Sequence, residues 1–281
     1  MSRVQIVTDS TSDIPPDVAE RLKITVVPAY VQIDNQSFRD GFSSGGLSRE
    51  EFYARLPTAP VVPTTSVPPS HEFAAAYRSA MDEADEVIAI VVSSDLSGMY
   101  GVARLGAREV PGLNVHVVDS GQTSMGLGWL AIAAAEAAAS GKHAREILDL
   151  VENLKKRVRV YAVLDTLEYL RRSGRVSWAR TKAVQILRIK PIVELLMGKV
   201  RDVGQTRTTR RAIERLVELT CSLGPVERLA VLHTYAPGVE ELCQRLIDLC
   251  SPKQLLTVAV TTIIGAHVGP RGLGVAALVA E

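Results

Sequence analysis

The chain has 281 residues, 47% of them hydrophobic, which is enough apolar material for one large domain or two ordinary ones. A net charge of +1 argues against general attraction to nucleic acid or to a membrane surface. No apolar run approaches the roughly 20 residues that a membrane-spanning helix needs. Because the sequence enters a strand within its first residues, we expect no secretory signal peptide and a cytoplasmic protein.

The three cysteines, Cys221, Cys243 and Cys250, include no C-x-x-C pair. An odd number of cysteines at these spacings suits a reducing compartment such as the cytoplasm. Cys243 and Cys250 lie two helical turns apart, and we expect both to be buried free thiols.

The first half of the sequence alternates strand-like and helix-like segments. Three continuous apolar runs, at residues 4–7, 87–92 and 115–118, predict strands of a mostly parallel sheet that is buried on both faces. Helix-like sequence follows each run. The pattern also predicts a strand at 24–33 and helices at 16–23, 48–56, 69–84, 127–139 and 142–157.

The second half differs, because Met197-Gly198-Lys199 is typical of a hairpin turn between two strands. A hairpin joins antiparallel strands, so this half is predicted to contain a mixed sheet with helices. Strands are predicted at 158–164, 200–203, 229–233, 255–260 and 275–279, and helices at 167–172, 206–223 and 238–250. We therefore predict an α/β fold of two α/β domains, residues 1–157 and 158–281.

Hydroxyl side chains are concentrated in four short segments that are predicted to be loops. Three of these segments directly follow the predicted parallel strands, and loops at the carboxyl ends of such strands converge on one crevice. The same loops lead into helices, whose free N–H groups favour anions. The sequence thus predicts a cup of hydroxyls and backbone donors for a small negative group, built from Thr8–Asp13, Thr64–Pro68, Ser93–Gly98 and Asp119–Ser124.

Positive charge is concentrated between residues 171 and 215, which contain thirteen Lys or Arg residues against three acidic ones. Such a segment forms either solvated helix faces or a basic surface for a phosphorylated ligand or an acidic partner. Nucleic acid is disfavoured, because Trp178 is the only aromatic residue in this segment that could stack on a base.

No segment matches the motifs of common catalytic sites. The G-x-S-x-G signature of serine hydrolases is absent around Ser94, and the sequence has no G-x-x-x-x-G-K-[ST] loop for a nucleotide. No spacing of His or Cys predicts a metal site, so we expect no metal. Asp9 and Asp13 have two interpretations. They could serve phosphotransfer or metal chemistry, or, more simply, they are structural carboxylates that cap a helix or bind neighbouring loops.

His267 differs from the other histidines because it lies in a segment, residues 265–272, that contains three glycines. Glycines let a backbone approach a ligand closely. The segment is therefore predicted to be a loop beside a ligand.

Together these segments resemble the DegV family of bacterial lipid-binding proteins, in the order of that family and over nearly the whole chain. The matching segments are Val7–Asp13, Thr65–Pro68, Ser93–Gly98, Val118–Ser120, Leu167–Ser177, Ile189–Ile192 and His267–Pro270. The resemblance implies two α/β domains with a long-chain fatty acid held between them and its tail in an apolar tunnel.

The resemblance also implies a role for particular residues. Ligand-binding candidates are Thr65, Ser66, Ser94, Ser97, Gly98 and His267 around the carboxylate, with Arg175 and Arg207 for an acyl-phosphate or a kinase. Some members of the family present the bound acid to a separate ATP-dependent fatty acid kinase, which makes acyl-phosphate for phospholipid synthesis. The expected protein is therefore a carrier, with no catalytic residue, no cofactor and no metal of its own.

Three residues depart from the family pattern: Met99 replaces a usual Thr, Gln205 a usual Lys, and Arg271 a common Gly. Two other functions stay open. One is a hydrolase or phosphotransferase that uses Asp9 or Ser94, and the other is RNA binding by the basic segment.

Overall fold

Three β-sheets organise the described part of the chain. The computed structural model describes residues 3–34, 36–41, 47–80, 84–181 and 189–281. Its strands are β1 Val4–Asp9, β2 Thr25–Val27, β3 Tyr30–Ile33, β4 Gln36–Arg39, β5 Thr64–Ser66, β6 Glu86–Val91, β7 Asn114–Asp119, β8 Val158–Val163, β9 Lys190–Leu196, β10 Lys199–Thr206, β11 Val226–His233, β12 Gln254–Ala259 and β13 Leu273–Val279. Its helices are α1 Pro16–Arg21, α2 Arg49–Arg55, α3 Ser70–Ala80, α4 Met99–Arg108, α5 Met125–Ala139, α6 Ala144–Lys155, α7 Glu168–Ser173, α8 Ser177–Thr181, α9 Thr209–Cys221, α10 Val239–Cys250 and α11 Thr262–Val268.

The first sheet is parallel and has the strand order β2-β1-β6-β7. Ile88 and Ile90 of β6 are fully buried, as expected of a strand that is covered on both faces. The parallel N-terminal sheet predicted from the apolar runs is confirmed. Because β1, β6 and β7 lie side by side in register, the three hydroxyl-rich segments that follow them meet at one edge of the sheet.

The second sheet is mixed and has the strand order β10-β9-β8-β13-β11-β12. β11 and β12 run parallel, and the other neighbours run antiparallel. The predicted hairpin joins β9 to β10 through Met197 and Gly198, whose φ angles of 48° and 78° suit a tight hairpin turn. The mixed sheet is therefore confirmed. All six strands follow residue 157, and the division into domains at that residue stays a prediction.

Helix α5 lies between the two large sheets and contacts strands of both. Almost every residue of this Ala-rich helix is buried. The Trp129 ring is fully buried, and its Nε1–H donates a 3.0 Å hydrogen bond to the carbonyl of Ala276 in β13. The helix has one charged side chain, Glu136, near its carboxyl end, and the scarcity of polar side chains elsewhere follows from burial between the two sheets.

The third sheet is small and antiparallel, with the order β4-β3-β5. The sequence predicts one strand over residues 24–33, and this prediction is wrong. The chain breaks at Pro28-Ala29, so that β2 joins the parallel sheet and β3 the small one. Pro28 has no N–H for a sheet ladder, and the N–H of Ala29 donates to Ser10 Oγ at 3.1 Å.

The structure also corrects the expectation of free buried thiols. Cys221 and Cys250 form a disulfide with their Cα atoms 5.7 Å apart, and Cys243 is free and partly exposed. The two paired residues end α9 and α10, helices that pack against each other, so the fold brings their carboxyl ends together. Spacing along the chain does not reveal this meeting. Among the described helices, none has both the length and the apolar character needed to cross a membrane.

Candidate ligand-binding site

A cavity of about 420 Å³ lies between the small sheet, the edge of the parallel sheet, and helices α7 and α11. We call it the polar compartment, because hydroxyl, imidazole and guanidinium groups line one part of it. The polar side chains in its lining, which also include one carboxylate, belong to Thr11, Thr65, Ser66, Asp95, Ser97, Thr123, Ser173, Arg175 and His267.

A second cavity of about 120 Å³ adjoins the first, and the two share the lining residues Leu96, Thr123, Leu170, Val200, Ile264 and Val268. We call the second cavity the apolar compartment. Strand faces of the mixed sheet form most of its walls, through Val160, Ala162, Val193, Leu195, Leu232 and Leu273. The first cavity therefore carries polar groups on part of its wall, and the wall of the second is almost entirely hydrocarbon.

Thr65 and His267 are joined by a 2.9 Å hydrogen bond between Oγ1 and Nε2. Burial, followed by the nearby Arg175 guanidinium, lowers the pKa of His267 to about 4. The imidazole is therefore neutral at pH 7, and the positive charge among the residues that line this end of the cavity belongs to Arg175. Arg175 is exposed and donates from its guanidinium to the Ser173 carbonyl at 2.7 Å.

His267 lies on helix α11, where the sequence predicts a loop; this prediction is wrong. Gly265 lies inside the helix at a point where the Tyr53 ring leaves no space for a Cβ atom. Gly269 ends the helix with a φ of 82°, against the ring of Tyr169. These two glycines therefore permit close packing of a helix. Thr65, predicted in a loop, is likewise in a regular element, the edge strand β5.

The other hydroxyls of the polar compartment are fixed by their neighbours. Ser66 Oγ accepts a 3.0 Å hydrogen bond from the side chain of Gln32. Ser97 Oγ accepts the N–H of Met99 at 3.2 Å, so its own O–H is left as a donor. With Gly98 between them, Ser97 and Met99 bring the start of α4 into the wall of the cavity.

Six of the eight residues predicted for the ligand line the polar compartment, but Ser94 and Arg207 line neither compartment. Ser94 is exposed, and its N–H faces the Asp119 carboxylate at 3.2 Å. Arg207 is exposed directly after β10. The structure therefore does not bring these two residues to the cavity.

Asp9 and Asp13 are buried and bind neighbouring segments. The Asp9 carboxylate accepts from the N–H and O–H of Thr11 at 2.9 and 2.5 Å and from the N–H of Val92 at 2.8 Å. The Asp13 carboxylate accepts from the Ser124 hydroxyl at 2.5 Å and from the Thr261 N–H at 2.8 Å. Burial raises the pKa of both carboxyls, that of Asp13 to about 6. These bonds agree with the simpler interpretation of Asp9 and Asp13, as structural carboxylates that bind neighbouring loops.

Sequence reasoning missed several residues of the cavity. Thr11 and Thr123 belong to the hydroxyl-rich segments, yet the resemblance does not single them out. Leu170, Val200 and Ile264 carry no signal at all, because an apolar residue that faces a cavity has the same pattern as one in a core. Within the described ranges, no group of three or more His, Cys, Asp or Glu side chains could hold a metal ion.

Comparison with known proteins gives matches along the whole chain. The model of the family described as "Uncharacterised protein, DegV family" matches residues 3–280. A DegV domain-containing protein of Streptomyces coelicolor is 37% identical over 282 residues, with 98% of each chain covered. Protein DegV of Bacillus subtilis is 31% identical over 280 residues, covering 97% of this chain and 98% of that protein.

Solved structures are also similar. A fatty-acid-binding DegV family protein of Thermus thermophilus has a TM-score of 0.89 and 31% identity, covering 99% of this chain and all of its own. DegV of Bacillus subtilis, described as a fatty acid binding protein, has a TM-score of 0.88 and 29% identity, with both chains fully covered. The α/β architecture, with its parallel and its mixed sheet, is therefore one that DegV proteins share.

Proposed function

This chain belongs to the DegV family, and we propose that it is a carrier that binds one long-chain fatty acid. The carboxylate lies in the polar compartment near Thr65 and His267, and the tail extends into the apolar compartment. The observation that carries the proposal is that a cavity with polar groups adjoins an apolar one across shared lining residues, an arrangement that suits an amphipathic ligand. Similar structures described as fatty-acid-binding support it.

The two ends contribute differently to affinity. Each CH₂ group that leaves water adds about 0.8 kcal/mol, so a tail of many methylenes dominates. Each hydrogen bond from a hydroxyl to the charged carboxylate adds roughly 1.5–3 kcal/mol. The headgroup contacts therefore set the orientation of the acid, and the apolar walls hold it.

The polar compartment offers hydrogen-bond donors to the ligand's carboxylate, but among the lining residues named above only Arg175 carries a positive charge. Thr65 and Ser97 hydroxyls donate to the carboxylate, while the neutral His267 ring fixes Thr65 through its 2.9 Å bond. Arg175 offsets the ligand's charge from the rim of the compartment. A neutral imidazole suits this place, because a buried imidazolium would add a desolvation cost.

The carrier then presents its acid to a separate ATP-dependent fatty acid kinase in the cytoplasm. The kinase transfers the γ-phosphoryl group of ATP to a carboxylate oxygen, giving an acyl-phosphate for phospholipid synthesis and ADP. The absence of a nucleotide-cradling loop from this sequence supports a second polypeptide for this step. Arg175 and Arg207, both exposed, are the residues that we assign to the kinase or to the acyl-phosphate.

The alternative, a hydrolase or phosphotransferase that uses Asp9 or Ser94, has no supporting observation. Asp9 is fully buried and its carboxylate already accepts three hydrogen bonds. Ser94 lines neither compartment. A nucleophile must reach the bound substrate, and neither group does so from its position.

Two measurements test the proposal. Native mass spectrometry of the protein purified from cells should show one co-purified long-chain acid per chain. After delipidation, Thr65→Val should weaken stearate binding about tenfold in a fluorescence displacement assay, because one charge-assisted hydrogen bond is lost.

Ser94→Ala is the matched control, since it removes a hydroxyl of a neighbouring segment that does not line the cavity, and it should bind stearate like the parent. Failure of the parent to bind any fatty acid would reject the carrier. Equal weakening by Ser94→Ala and Thr65→Val would reject the headgroup position.

A further inference from the structure

Helix α11, which carries His267, is held at its amino end by two carboxylates from the other half of the chain. The Thr261 N–H donates to Asp13 Oδ1 at 2.8 Å. The N–H and O–H of Thr262 donate to Asp40 Oδ1 at 3.3 and 2.8 Å. Asp13 and Asp40 are 1% and 3% exposed, so these bonds are shielded from water.

This arrangement replaces the usual cap of a helix. The first N–H groups of a helix have no partner within it, and the side chain of the residue before the helix normally accepts one of them. Thr261 occupies that position but makes no such bond with its side chain. Carboxylates 248 and 222 residues away instead bind Thr261 and the first helical residue, Thr262, and a carboxylate is favourable at the positive end of a helix.

Three further groups fix the same end. The Tyr53 hydroxyl donates to the carbonyls of Val260 and Thr261 at 3.1 and 3.3 Å. The Arg49 guanidinium donates to the carbonyl of Ala259. Burial raises the pKa values of Asp13 and Asp40, and the nearby Arg49 charge lowers them by a smaller amount. The Tyr53 ring against Gly265 then stops the helix from sliding.

The carboxyl end of the same short helix meets the cavity. Its seven residues span about 10 Å, one rigid element between the carboxylates and the ligand site. His267 in the last turn bonds Thr65 at 2.9 Å. A shift of the amino end therefore displaces the imidazole, because a short helix moves as one body.

We propose that Asp13 and Asp40 are positioning residues, which hold α11 where His267 meets Thr65 and so set the geometry of the headgroup end of the cavity. They act through the helix and do not touch the acid. The consequence for affinity rests on the proposed function, whereas the consequence for the state of His267 does not.

The first test observes His267 in the empty protein, by nitrogen NMR of the imidazole across a pH titration, with the signal assigned through His267→Gln. The parent should show one neutral tautomer and a pKa near 4. Asp40→Ala should give a mixture of tautomers and raise the pKa of His267 by about one unit, as the ring moves toward solvent.

Thr262 supplies a milder pair of variants in case Asp40→Ala does not fold. Thr262→Val removes the hydroxyl bonded to Asp40 and should change the His267 signal in the same direction, while Thr262→Ser keeps the hydroxyl and should restore the parent signal. A folded Asp40→Ala or Thr262→Val protein with the parent's His267 signal would overturn the proposal.

Asp9→Asn is the matched control. Asp9 is as buried as Asp13 and accepts three hydrogen bonds, but all of them come from Thr11 and Val92, none from α11. It should lower stability without changing the His267 signal. The same change in His267 from Asp9→Asn would show a general effect of buried charge and would also overturn the proposal.

The second test measures affinity for stearate, which should fall about fivefold in Asp40→Ala and in Thr262→Val, the scale of a modest coupling between sites. Unchanged affinity alongside a changed His267 signal would overturn the link to the headgroup. If the parent itself binds no fatty acid, the proposed function fails, and the His267 titration still decides whether the carboxylates position the helix.

Discussion

The polar and apolar compartments of the cavity are built in opposite ways. The polar one takes its groups from elements far apart in the chain, among them the edge strand β5, the start of α4 and the end of α11. The apolar one takes most of its walls from adjacent strands of one sheet. Headgroup chemistry therefore depends on the relative placement of separate elements, whereas the space for the tail depends on single side chains of a rigid sheet.

The largest expected effect is on the tail. Ala162 lies on the central strand β8 with its side chain in the apolar compartment of about 120 Å³. Ala162→Phe fills that space and should exclude about four methylenes, worth about 3 kcal/mol or a hundredfold in stearate affinity. Octanoate is the ligand control, because a short acid does not reach the filled region and should bind variant and parent alike. Equal losses for the two acids would show that the tail takes another path.

A smaller effect concerns the polar compartment and is seen in the pH dependence of the free energy of unfolding. The pKa of His267 is lowered to about 4, below the 6.5 of an unfolded chain. Between pH 6.5 and 4 the His267 imidazole is protonated in the unfolded state but neutral in the folded state. The contribution of His267 to the free energy of unfolding is therefore complete above pH 6.5. It falls by an amount of the order of 2 kcal/mol as the pH falls towards 4.

Urea unfolding of the parent and of His267→Gln at pH 7.5, 6, 5 and 4.5 checks this. The difference in unfolding free energy between the two proteins should shrink with falling pH. The contribution of Asp13 to the free energy of unfolding has the opposite pH dependence, since its pKa is raised to about 6 and the contribution is lost as the pH rises. Because Asp13 is present in both proteins, its contribution cancels in their difference. A constant difference over the whole range would contradict a buried neutral His267.

The same contrast explains which parts of the molecule the sequence predicts. Continuous apolar runs and a hairpin turn are local signals, so the parallel strands and the mixed sheet are confirmed. The break at Pro28 and the helix around His267 depend on packing against distant groups, Ser10 and Tyr53, which no local pattern contains. The Cys221–Cys250 pair depends on the meeting of two helix ends in the same way.

In the candidate site the motifs identify polar groups but not their direction. Ser94 and Ser97 are three residues apart in one segment, yet only Ser97 lines the cavity. The direction of each depends on the turn that follows β6, where Ser97 Oγ accepts the first N–H of α4. The apolar walls were beyond sequence reasoning, because residues such as Leu232 have the same pattern whether they face a core or a ligand.

Arg175 gives a smaller effect at the rim of the polar compartment. Arg175→Gln removes the charge that offsets the carboxylate and should weaken stearate binding about threefold, since an exposed ion pair contributes less than about 1 kcal/mol. The loss should vanish at high ionic strength, where exposed charges are screened. A loss that persists in 1 M salt would place the guanidinium in direct, desolvated contact with the acid.

The smallest expected effect lies outside both compartments and separates binding from presentation. Arg207 is exposed and lines no part of the cavity, so Arg207→Glu should bind stearate with the parent's affinity. If the kinase docks on this basic surface, a reversed charge should slow association, and acyl-phosphate formation at limiting carrier should fall about twofold to threefold at low salt. Arg145→Glu makes the same charge change on the exposed face of α6 and should leave formation unchanged. Equal rates for Arg207→Glu and the parent at low salt would remove Arg207 from the docking surface while leaving the carrier function intact, because the acid is held by groups that Arg207 does not touch.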